Sequence, residues 1–145
     1  MQSDTLLKGL IIIPLIITAL YYYYFREGNI FYTWLGIADH FNEKLAHPVI
    51  NALPSFVHVY SFSLLTWLSF GKNRALTAII LWFLINLFFE VGQGLDVSYL
   101  NGLPSILNNY FTYGVFSWMD IIATLVASIL AYLTIIFYNK KKTND

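Results

Sequence analysis

No cysteine occurs in the chain, so disulfides, zinc–thiolate sites, a cysteine nucleophile and a lipidated N-terminal cysteine are excluded. Charge is nearly as scarce. Lys, Arg, Asp and Glu make up 11% of the residues, against about 25% in soluble globular domains, and the formal net charge is zero. A neutral chain has no basic field with which to hold nucleic acid. Internal repeats and low-complexity linkers are missing too, so the 145 residues read as one domain, 1–145. What remains is apolar: 58% of the residues are hydrophobic and 19% aromatic.

The apolar residues gather in four runs, at about 6–25, 52–70, 76–93 and 116–138. Each is close to the roughly 20 residues that cross a hydrocarbon layer of about 30 Å. The fold class is therefore all-α, an integral membrane bundle of four transmembrane helices. The first run ends in Tyr21, Tyr22, Tyr23 and Tyr24 rather than the small residues of a signal-peptide cleavage site. It reads as a retained helix with an aromatic anchor at the interface, and Pro14 within it needs neighbouring helices to compensate its missing donor.

Topology follows from the basic residues. Lys8, Lys72, Arg74, Lys140, Lys141 and Lys142 fall on one side of the membrane, and only Arg26 and Lys44 on the other. The positive-inside rule then places both termini in the cytoplasm. The short GKNR link, 71–74, demands a tight helical hairpin. Lys140–Asp145 is expected to be a frayed tail. Of the two outer loops, 26–51 and 94–115, the first carries Phe31, Trp34, Leu35, Ala38, Phe41 and Leu45 at spacings of three and four. That pattern predicts an amphipathic helix lying on the outer interface. Asp39, His40, Glu43 and His47 occupy its other face. They are weak metal candidates, because the spacing matches no metal motif and a solvated polar face explains them better. The second loop has no lysine or arginine, one acid (Asp96) and the aromatics Tyr99, Tyr110, Phe111 and Tyr113. It suits the membrane edge provided protein covers its backbone.

Glu90 stands out within the third run. Counted from Arg74 it lies about 24 Å along the helix, several ångströms short of the far surface. An ionisable group there costs a few kcal/mol, so it needs a reason. The same counting puts His58, on the second run, near the level of Glu90, with Gln93 and Asp120 just above. Asn86, Glu90 and Gln93 share one face of the third helix, and Asp120, Thr124 and Ser128 one face of the fourth. Ala127 and Ala131 let that fourth helix approach a neighbour closely. These positions predict an outward polar pocket with Glu90, His58 and Asp120 as candidate catalytic groups and Gln93, Thr124 and Asn86 as candidate binding groups. Buried polar residues in membrane bundles also bond helices together, which is the competing reading for Asn86, Gln93, Thr124 and Ser128.

The pattern Glu90-Val-Gly-Gln93, followed by Gly114-Val-Phe-Ser-Trp-Met-Asp120 leading into the last helix, resembles VanZ-like membrane proteins. In that family an E-x-x-Q ends one helix, and a loop leads to an aspartate that opens the next. A histidine near the start of the preceding helix, here His58 in LPSFVHVYSFSLL, fits as well. The resemblance spans about Leu53 to Leu133. Differences are Pro54-Ser55 where the family often has Asp-Lys, no arginine in 94–115, and Thr124 and Ala127 in place of asparagine and glycine. The family takes its name from a member linked to low-level glycopeptide resistance, teicoplanin in particular. The resemblance implies a protein of the bacterial inner membrane and envelope.

Four functions compete on this reading, one of them an assembly or scaffold subunit that co-purifying partners would reveal. The first is an accessory membrane protein that binds an envelope lipid, a lipid-linked precursor or a lipophilic antibiotic. The second is a small membrane enzyme using Glu90 as general acid or base with His58, Asp120 orienting water or a metal. The third is a proton-coupled transporter, which four helices could enclose only as a homo-oligomer. No Ser/His/Asp triad spacing or phosphate-binding loop occurs, and no cofactor is expected. Membrane lipids are the expected partners, and nucleic acid is not.

Overall fold

A computed structural model of the protein describes residues 2–25 and 48–144. Every regular element among them is helical. In chain order these are α1 (Gln2–Phe25), the short α2 (Pro48–Asn51), α3 (Leu53–Phe70), α4 (Ala75–Gln93), α5 (Ser105–Tyr113) and α6 (Trp118–Asn144), with 3-10 turns at Lys72–Arg74 and Val97–Leu100. Among the described residues four segments are long and apolar enough to cross a membrane: Thr5–Tyr23, Val49–Phe70, Ala75–Gln93 and Trp118–Lys141. They coincide with the four sequence runs to within a few residues. Large side chains such as Leu6, Ile13, Phe88 and Phe137 are more than half exposed, which suits a lipid solvent and not water. The chain is an all-helical integral membrane protein.

Two expectations change. Lys140–Asn144, expected to fray, continues α6 without a break. Basic residues are favoured on the last turn of a helix, where they face its unpaired carbonyls. Tyr21, expected to anchor at the interface, is instead buried, and its hydroxyl donates to Asn51 Oδ1 at 2.6 Å, tying α1 to α2. The predicted interfacial helix between Phe31 and Leu45, with Asp39, His40, Glu43 and His47, lies outside the described residues.

The bundle is organised around α3. Of its spanning window 44% is buried, against 17–22% for the other three spans, so it is the central rod and the others are largely lipid-facing. Val59, Leu64 and Trp67 of α3 meet Leu7 and Ile11 of α1, Ala78 and Ile79 of α4, and Ala127, Ala131 and Ile135 of α6. The α3–α6 pairing is the most extensive. Ala127 and Ala131 are fully buried there, as their spacing predicts, because small side chains let two backbones approach. Gly71 ends α3 with φ of 95°, a conformation open to glycine at little strain, and its N–H donates to Trp67 O at 3.0 Å.

Ring and hydrogen-bond contacts fix the direction of the rods. Ser55 meets Asp120 at the starts of α3 and α6, and Trp67 meets Tyr138 towards their ends. The two helices thus run parallel, and the bundle has a terminal end and a loop end. Charge separates along this axis. The described basic side chains Lys8, Arg74, Lys140 and Lys141 lie at the terminal end, and the described acids Glu90, Asp96 and Asp120 at the loop end.

Candidate functional site

The site grows out of the last turn of α4. After Gln93 the chain turns back on itself, Gly94 N–H donating to Val91 O at 3.0 Å. Asp96 caps the following 3-10 turn by accepting from Ser98 N–H at 2.8 Å, which holds its carboxyl below the usual carboxylate range. Leu100 is buried beneath this turn, and Asn108 Nδ2 donates to its carbonyl at 3.1 Å. Leu100 pins the loop at this point, while the other described residues from Gly94 to Ile106 are exposed, so the expected protein cover is confined to Leu100. Next α5 folds against α4. Phe111 is buried with its ring centroid 5.7 Å from Phe88 and 6.0 Å from Phe89.

Two glycines permit this return. A Cβ on Gly92 would overlap the Phe111 ring, and one on Gly114 would overlap the Gln93 side chain. The close approach brings the link between α5 and α6 alongside the end of α4. There Ser117 N–H donates to Glu90 Oε1. Ser117 is also where α6 begins, since its carbonyl accepts from Asp120 N–H at 3.1 Å and Ile121 N–H at 3.4 Å. The first N–H groups of a helix have no partner within it, and the aligned peptide dipoles favour negative charge there. Glu90 is thus a buried carboxyl (8% exposed) supplied by one spanning helix to the start of another.

Asp120 stands in the first turn of the same helix. Its Oδ1 accepts from Ser55 Oγ at 2.8 Å, which ties the start of α6 to the start of α3. Pro54 lies in that first turn of α3, where its missing N–H is no loss. Both carboxyl groups singled out from the sequence therefore gather at the α6 N-terminus, each accepting from a serine. Ser55 and Ser117 escaped sequence reasoning. The signal for Ser117 was present as Ser117-x-x-Asp120 before an apolar run, a capping-box pattern. Ser55 stands where the sequence departs from the VanZ-like pattern.

His58 is half-buried one turn into α3. Its ring stacks on Phe62 at 5.6 Å, and Phe62 packs on Trp82 of α4 at 4.8 Å. Trp82 Nε1 in turn donates to Thr66 Oγ1 at 2.8 Å. His58 therefore heads an aromatic ladder along the α3–α4 seam, on the side of α3 facing the helix that carries Glu90. Gln93 is half-buried against Gly114. Thr124 is buried below Asp120, and its carbonyl accepts from Ser128 Oγ at 2.9 Å. Asn86 Nδ2 donates to Trp82 O at 3.0 Å, a bond inside its own helix. Asn86 and Ser128 are thus engaged with the backbone of their own helices, and these two bonds join no neighbouring helix. Among the described residues no cluster of three or more His, Asp or Glu side chains could hold a metal ion.

No protein-family model, curated protein or solved structure matches this chain.

Proposed function

We propose that the protein is an envelope membrane protein of the VanZ-like type that binds the polar part of an amphiphile at its loop end, in the outer leaflet. The ligand class is an envelope lipid, a lipid-linked precursor or a lipophilic glycopeptide antibiotic. The basic terminal end then faces the cytoplasm, as the positive-inside rule requires.

One observation carries the reading: Glu90 presents a buried carboxyl group to the N-terminus of α6 near the end of a spanning helix. A neutral glutamine would accept the Ser117 N–H as well and enter the bilayer at lower cost. A carboxylate adds a negative charge to that bond, to which a ligand cation or a transferable proton is the complement. The two carboxylates that carry the family resemblance share one helix start, which adds support. The neighbouring aromatics, among them Phe89 and Tyr110 with ring centroids 5.2 Å apart, provide the surface an amphiphile's apolar part or ammonium group would meet.

Glu90→Gln is the test. It retains an acceptor for Ser117 N–H while removing the charge. The variant should insert and fold normally yet lose the resistance or envelope phenotype, together with retention of the lipid-linked precursor by native mass spectrometry. Normal expression with an unchanged phenotype and unchanged retention would overturn the proposal.

A further inference from the structure

A cleft of about 250 Å³ opens at the opposite, terminal end of the bundle, between α1 and α6. Leu6, Leu7 and Leu10 line it from α1, and Phe137, Tyr138 and Lys141 from α6. It exists because α1 packs mainly on α3 and touches α6 only lightly. Apart from Thr134 and the Tyr138 hydroxyl the walls are apolar, and Leu6, Leu10 and Phe137 are exposed on them. Its volume falls below the roughly 300–1,000 Å³ of drug-sized sites, which suits a single hydrocarbon chain. A cleft between spanning helices faces lipid, so acyl chains are its nearest source of apolar atoms.

The mouth gives the chemistry of the headgroup. Lys141 is part of the lining, and Lys8 and Lys140 are exposed on the same turns of α1 and α6. The described charged side chains at this end, Lys8, Arg74, Lys140 and Lys141, are basic and outnumber the one acid in the α1 sequence, Asp4, while Glu90, Asp96 and Asp120 lie at the other end. An apolar slot between spanning helices with a basic rim is complementary to an anionic phospholipid. We propose that the α1–α6 cleft binds one acyl chain of an anionic phospholipid, with Lys141 holding the phosphate at its mouth. This site is separate from the loop-end site and does not depend on it.

The probe is an equimolar phosphatidylglycerol–phosphatidylcholine nanodisc, with lipids co-released with the protein counted by native mass spectrometry. The wild type should retain phosphatidylglycerol in preference to phosphatidylcholine. Lys141→Gln should lower that preference roughly fivefold, the effect of one basic residue at an anionic surface, and Lys141→Arg should keep it. Leu10→Trp, which fills the slot, should reduce retention of both lipids while leaving helicity intact. Leu6→Trp, at a more exposed position, reads the same occlusion if Leu10→Trp fails to insert. Equal retention of the two lipids by the wild type, or a preference that survives both Lys141→Gln and occlusion, would overturn the inference.

Discussion

The Ser117 N–H that Glu90 accepts is one of the donors a helix cannot satisfy internally, and Glu90 meets it from a different helix. Glu90→Ala should therefore lower stability in detergent by about 1–3 kcal/mol, the penalty for leaving a buried donor unpaired. Glu90→Gln should fall well short of that loss, and thermal unfolding of the two variants separates the clamp from the charge. Gly92 makes a comparable demand by geometry. Gly92→Ala drives a methyl into the Phe111 ring and should destabilise by about 1–3 kcal/mol, with Phe111→Leu recovering part of the loss. Ser63 behaves oppositely. Its hydroxyl is fully buried with no partner among the described residues, so Ser63→Ala should leave the melting temperature unchanged or raised.

At the scale of elements, the four spans were legible because hydrocarbon thickness and residue count leave little freedom. The facing of Ala127 and Ala131 was equally plain from their spacing. Depth counting also singled out Glu90 and Asp120. It could not reveal which groups they would touch, because Ser117 is brought in by the return of the chain through α5 and Ser55 by the packing of α3 on α6, rather than by helical period. Asn86 shares a face with Glu90, and spacing gave no sign that its Nδ2 donates one turn back to Trp82 O. The fold-back segment carries its own pH signature. Asp96 is held below its ordinary range by Ser98 N–H, so its cap is present above the unfolded carboxylate value of about 3.9 and is lost as pH falls through the lower folded one. Side-chain carboxyl resonances should place the Asp96 midpoint below about 3.9, and Ser98→Pro, which removes the donor, should raise it.

For the whole molecule, the orientation expected from the basic residues can be tested directly. Because the chain has no cysteine, single cysteines can report sidedness without background. Asn101→Cys, exposed beyond α4 at the loop end, should react with a membrane-impermeant thiol reagent in intact cells. Asn73→Cys, exposed in the turn between α3 and α4, should react only after permeabilisation. The reverse pattern would invert the molecule. The pairing of α3 with α6 also has a bearing on biogenesis. The central rod leaves the ribosome well before α6, its most extensive partner. Until α6 is made, the flank of α3 that packs on it faces lipid, and the Ser117 N–H that Glu90 accepts is not yet in place. Closure of the bundle is therefore a late event, and a chain stopped at residue 117 would insert three rods without ever locking them.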